Sequence, residues 1–278
     1  MYDLEYVKKR KRKKAAIIVV GISTIVVSAL AITSFLGRFV GTFTVSLDTG
    51  NVQITLSESS SFKNPTSYLR IADLPRFEEY TYDNLPSDDV LDNEEITYLD
   101  DNAVNKDGDD VISMDYFKYT FFVKNVGNKH ARYNLDLNII DNKPSKDGRY
   151  LDDTLRVMIY ETDLATSYTT KEVYAKKTKT PHYNDDGELE FTEAISISKE
   201  YASQSLPFRG YAKTFNSSSR ITTIPVVNFG KGSIRRYTIV AWLEGYDPEA
   251  YSPIDEVIIE APKDARLKLG VEINAYEN

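Results

Sequence analysis

The residues best spaced for chemistry are His182, Tyr183, Asn184, Asp185, Asp186 and Gly187, with Glu193 following. Counted from His182, Asn184, Asp186 and Glu193 stand at positions 3, 5 and 12 of a calcium-loop pattern, where that ion takes oxygen ligands. Position 1 is a histidine rather than an aspartate, which removes one hard oxygen ligand, and no flanking helices are expected. A hairpin turn built on Asn-Asp-Asp-Gly explains the same residues more simply. A second acidic run, Asp100, Asp101, Asn105, Asp107, Asp109 and Asp110, lacks the closing glutamate and reads as a solvated loop with room for weak calcium binding. Asn184, Asp186 and Glu193 are therefore the metal candidates, and calcium is the one cofactor in view.

Other chemistry is missing its parts. The chain holds two histidines, His130 and His182, and no cysteine, so zinc-peptidase, cysteine-protease and c-type haem sites lack ligands or nucleophile. There is no H-E-x-x-H, no G-x-S-x-G elbow, no phosphate-binding G-x-x-x-x-G-K-[ST] and no G-x-G-x-x-G. A surface hydrolase of the glycosidase kind needs only two carboxylates, but among so many acidic residues the sequence singles out no pair. No catalytic residue is assigned, and the expectation is recognition rather than turnover. The 20 tyrosines, 12 phenylalanines and lone Trp242 are expected mainly as core, with a sugar-stacking or protein-binding face as the alternative.

The elements carrying these residues are ordered by charge and hydropathy. Residues 8–14 are seven consecutive lysines and arginines, against Asp3 and Glu5 in the same head. Of the chain's 34 basic and 42 acidic residues, seven and two lie there, so the remainder has a formal charge of −13. Such a surface repels phosphate backbones, which excludes nucleic acid as its partner. Residues 15–36 carry no charge and are mostly Ile, Val, Ala and Leu, the make-up of a membrane-spanning helix. The positive-inside rule keeps residues 1–14 cytoplasmic and sends the rest across the membrane. Ala29-Leu30-Ala31 matches a signal-peptidase site, so the segment is either a retained single-pass anchor or a signal cleaved to leave a secreted chain starting at Ile32. Without cysteine, the exported part must be held by core burial alone.

Beyond Gly37 the apolar residues alternate, the period of a strand with one buried face. Phe43, Val45 and Leu47, then Val52, Ile54 and Leu56 across Asp48-Thr49-Gly50-Asn51, predict a hairpin. Phe117 to Val123 and Tyr133 to Ile139, across Asn125-Val126-Gly127-Asn128, predict a second. Further strands are expected at 155–160, 191–198, 220–229, 236–243, 257–260 and 267–275. The fold class is all-β, a jelly-roll-like or Ig-like antiparallel β-sandwich over residues 38–278, preceded by the N-terminal transmembrane or signal helix. Residues 57–110 form a long insertion, expected to hold a short helix near 66–72 or a lid over one sandwich face. Residues 142–153 make a smaller surface excursion. Asp247-Pro248-Glu249-Ala250 is expected to open a helical turn, with aspartate as cap.

Three passages, residues 119–128, 237–248 and 269–276, resemble exported Gram-positive β-sandwich proteins, and the architecture is similar to the TasA/camelysin group of surface and biofilm-matrix proteins. The resemblance implies assembly at the cell surface, with residues 38–47 as a donor strand completing the next subunit's sheet. The simpler expectation pairs that segment with residues 52–56 of its own chain. The partners in view are the membrane through residues 15–36, other proteins or further copies of the chain, and carbohydrate if the domain is an adhesive ectodomain.

Overall fold

Two families of alternating strands build the molecule. The computed structural model describes residues 41–48, 52–74, 76–93, 104–105, 112–177, 182–183, 189–190, 195–196, 211–245, 247, 251–252, 257–258, 262 and 264–277. Its strands are β1 (Gly41–Asp48), β2 (Ile54–Ser57), β3 (Tyr68–Leu74), β4 (Arg76–Phe77), β5 (Glu79–Tyr80), β6 (Val104–Asn105) and β7 (Ile112–Met114). These are followed by β8 (Tyr116–Asn125), β9 (Ala131–Lys143), β10 (Leu155–Asp163), β11 (Tyr168–Ala175), β12 (His182–Tyr183), β13 (Leu189–Glu190) and β14 (Ile195–Ser196). The last are β15 (Tyr211–Thr214), β16 (Arg220–Phe229), β17 (Ile234–Glu244), β18 (Tyr251–Ser252), β19 (Val257–Ile258) and β20 (Arg266–Glu277). One short helix, α1 (Asp88–Leu91), follows a 3-10 turn at Tyr82–Asn84.

A five-stranded sheet runs β16-β9-β20-β1-β3, and an eight-stranded one runs β14-β15-β11-β10-β17-β8-β2 with β5 beside β17. Their facing residues form one hydrophobic core. Phe43, Val45, Tyr133, Leu135, Leu137, Val271 and Ile273 come from the first sheet, and Phe117, Tyr119, Phe121, Val157, Ile159, Tyr237 and Ile239 from the second. The Phe43 ring lies 5.1 Å from Phe117 and 5.4 Å from Tyr119, joining the layers through aromatic contact. An all-β chain of two multi-stranded sheets is thus what the alternation specifies.

Both expected hairpins are corrected. β1 pairs in parallel with β20 and antiparallel with β3, whereas β2 pairs with β8 in the other sheet. Likewise β8 joins β17 and β2, and β9 joins β20 and β16. Alternation plus a turn signal is the same whether the chain doubles back within a sheet or crosses to the facing one. The crossing at 125–130 is held by side-chain bonds: Asn125 Nδ2 donates to Lys129 O (2.9 Å) and Phe229 O (2.8 Å), and Gly127 N donates to Asn125 Oδ1 (2.9 Å). A Cβ on Gly127 would meet that Oδ1 at 3.1 Å and Gln53 Cβ at 3.3 Å.

The sandwich is also not purely antiparallel, since β1/β20, β11/β15 and β5/β17 are parallel. No helix forms at 66–72: Thr66 bridges Leu56, and β3 joins the five-stranded sheet. Among the described residues no helix is long and apolar enough to cross a membrane. The expected transmembrane or signal segment, residues 15–36, lies outside the described residues.

Candidate functional site

In β8, β10 and β17 the residues facing away from the shared core are buried too. On β8, Tyr116, Lys118, Thr120 and Phe122 are nearly as enclosed as the inward Phe117, Tyr119 and Phe121. On β17, Thr238, Val240, Trp242 and Glu244 are all at most 1% exposed. What encloses much of this outer face is the segment 79–93, a strap across the sheet. It enters as β5, which pairs in parallel with the end of β17, and Gly245 N donates to Tyr80 O (2.7 Å). It then turns through Tyr82–Asn84 and closes with α1, whose Leu91 is 1% exposed in a second apolar cluster with Tyr116, Met158, Tyr160, Val240 and Trp242. The lid expected within residues 57–110 is therefore present, as a strap over the eight-stranded sheet.

Charged and polar groups fasten it. Lys171 Nζ donates to Asp88 Oδ1 (2.6 Å) and to Tyr82 Oη (3.1 Å), and Tyr160 Oη donates to the same Asp88 oxygen (2.7 Å). The ammonium also stands over the rings of Tyr82 and Tyr160, at 5.5 and 5.7 Å. Arg236 Nη2 donates to Asp92 Oδ2 (2.7 Å), and Thr238 Oγ1 approaches Asp92 Oδ1 (3.4 Å). Lys118 Nζ donates to Asn93 Oδ1 (2.6 Å) and to Val90 O (3.2 Å). Glu244 Oε2 accepts from Trp242 Nε1 (2.9 Å) and from Tyr82 N (3.0 Å). Beside it, Arg156 and Asp247 form an ion pair of 2.6 Å with both side chains wholly buried. Asp247 thus spends its carboxylate on Arg156, and residues 248–250 of the expected helical turn lie outside the described residues.

These partners bias the carboxylates in opposite directions. Burial favours protonation of Asp88, but the hydrogen bonds from Lys171 and Tyr160 and the charge of Lys171 outweigh it and hold the carboxyl below its usual value. At Asp92 burial wins over the Arg236 ion pair and the Thr238 contact, and its pKa is raised. Burial, with the Asp88 hydrogen bond and charge, pushes the Tyr160 hydroxyl far up.

A second polar group lies inside the core. Tyr133 and Tyr237 share a hydroxyl–hydroxyl hydrogen bond of 2.7 Å, Tyr237 Oη donates to Glu161 (3.2 Å), and Arg235 pairs with Glu161 (2.5 Å). Burial raises both tyrosine hydroxyls, so the pair acts as a neutral hydrogen-bonding bridge between the sheets.

Of the sequence candidates, Asn184, Asp186 and Glu193 lie outside the described residues, and so do the side chains of the 100–110 acidic run. The flanks of the first are described as a short antiparallel pair, His182 with Glu190 and Tyr183 with Leu189. Among the described residues no group of three or more His, Asp or Glu is placed to hold a metal ion. Trp242 is wholly buried, beneath the strap rather than between the sheets, with the Tyr82 ring 6.1 Å away. The sequence reading missed the strap cations. Their one visible signal is a charge inside an apolar run, as at Lys118 between Phe117 and Tyr119; the buried Arg156, between Leu155 and Val157, carries the same mark. No family model, no curated protein and no solved structure matches the chain. Fold and site together define a two-sheet all-β protein with one outer face closed by an ion-paired strap.

Proposed function

We propose that this chain is an exported cell-surface or extracellular-matrix protein of jelly-roll-like or Ig-like β-sandwich type, akin to the TasA/camelysin group, that binds other proteins or copies of itself. Residues 15–36 are its membrane segment, retained as an anchor or removed as a signal. Its mode of action is recognition, by β-strand addition through the strand that follows the export segment.

The observation supporting this is the position of β1. It fills a slot between β20 and β3, hydrogen-bonded along both edges, and its Phe43 and Val45 are 1% and 0% exposed. A strand near the chain's start that seals a sheet from within can seal the equivalent slot of a second copy without new chemistry, because the register and side-chain fit are identical.

The test uses the absence of cysteine. Ser46 and Glu272 are register partners on the outer face of β1 and β20, and neighbouring strands about 4.8 Å apart fall within disulfide reach. Oxidising the Ser46→Cys/Glu272→Cys double variant should give a reducible ladder of covalent oligomers that neither single variant forms. A double variant that closes only within its own chain contradicts strand exchange.

A carbohydrate-binding or adhesive reading is favoured by one observation of its own. The outer face of the five-stranded sheet sets Ser46, Glu272, Asp136 and Thr223 in one cross-strand row and Asp48, Asn274 and Asn134 in the next. Tyr68 and Tyr276 are exposed, with Arg132 stacked 5.4 Å from the Tyr276 ring. Binding of cell-wall or matrix glycans that is lost in Tyr276→Ala would favour this reading. Binding that is absent, or unchanged in the variant, would oppose it.

A further inference from the structure

Lys118 is 3% exposed, on a strand buried on both faces, and its Nζ meets the side-chain carbonyl oxygen of Asn93 at 2.6 Å. The amide carbon lies one bond of about 1.2 Å beyond that oxygen, so amine and electrophile are already neighbours. The charge of Lys118 acts in turn on the carboxylate of the adjacent residue, Asp92, whose oxygens are held toward β17 by Arg236 and Thr238. We propose that Lys118 and Asn93 join in an intramolecular isopeptide bond that closes the strap covalently, with Asp92 as the proton carrier.

The step balances without an oxidant or a co-reactant. Asp92 takes a proton from the Lys118 ammonium, and the neutral amine attacks Asn93 Cγ to form the new C–N bond. The old C–N bond to the amide nitrogen then breaks. Nζ gives up two protons in all, the departing nitrogen gains both, and it leaves as ammonium while Asp92 returns to its starting state. Burial assists the first transfer, since an apolar surrounding disfavours an ammonium–carboxylate pair relative to a neutral amine and carboxylic acid. The raised pKa of Asp92 acts in the same sense, while its bond to Arg236 opposes it and keeps the group available as a base. The strap's ion pair of Lys171 and Asp88 does not share this setting: its side chains are 29% and 61% exposed, and water stabilises their charges. The link would give a chain with no cysteine the covalent closure that a disulfide gives other exported proteins.

Peptide mapping of the purified full chain tests this. The expected product is a branched peptide joining the Asn93 segment to the Lys118 segment, lighter than its two parts by one ammonia. It should disappear in Lys118→Arg, and in Asp92→Ala that still shows buried Trp242 emission. Separate unmodified peptides from the wild-type chain overturn the proposal. So does loss of ammonia at Asn93 without a branch, which is succinimide formation. A branch formed equally in Asp92→Ala overturns the role given to Asp92.

Discussion

Arg156 and Asp247 set the energetic tone at the residue scale, because each is wholly buried and neither charge has water to fall back on. Removing one partner of such a pair leaves an uncompensated charge and costs about 3–5 kcal/mol, whereas replacing both with apolar residues is often neutral. Asp247→Ala should therefore lower unfolding free energy in urea by about 3–5 kcal/mol. Arg156→Met/Asp247→Leu should lose clearly less than the single variant. Asp88 governs acid sensitivity by a separate route. Its folded pKa is depressed, so its contribution is present above the unfolded value of about 3.9 and is lost as pH falls through the folded value. Asp88→Asn should accordingly be less stable than wild type near neutrality and lose less stability between about pH 6 and pH 3. A variant whose urea midpoint declines as steeply as wild type over that range contradicts the assignment. Asp92 has the opposite sign: its raised pKa gives a contribution present at low pH and lost as pH rises through the folded value.

At the scale of elements, the strap explains why β8 and β17 are apolar or enclosed on both faces within a sheet whose outer side the sequence leaves to solvent. Leu91 is its apolar anchor, and Leu91→Ala should destabilise the protein by about 2–5 kcal/mol in urea unfolding. It should also shift the emission of Trp242 to the red, since that ring lies beneath the strap beside Tyr82. An unshifted emission would mean that the strap is held by its ion pairs without Leu91.

Alternation at Phe117, Tyr119 and Phe121, or at Leu269, Val271 and Ile273, reports a buried face directly, and the strands lie there. Alternation does not report which sheet a strand joins, so β1/β2 and β8/β9 looked like hairpins although each pair spans the sandwich. The fastening of the strap is not legible in the insertion itself, because its cations, Lys118, Lys171 and Arg236, lie 25 to 144 residues away along the chain and meet it only in the folded state.

On the scale of the whole molecule, residues 40–278 form one compact unit. Within it β1 and β20, strands near the two ends of the chain, lie side by side in parallel. The shared aromatic core, the Tyr133–Tyr237 bridge and the buried ion pairs give cohesion to a chain without disulfides. On the proposed reading, a domain that follows a basic head and an uncharged apolar segment is expected outside the cytoplasmic membrane. The most direct test is shaving of intact bacteria expressing the full chain with a membrane-impermeant protease, followed by mass spectrometry of the released peptides. The proposal predicts peptides from residues 41–278 in the supernatant, or the mature domain free in the medium, with the basic head protected until lysis. Protection of the β-domain until the cells are broken would contradict it.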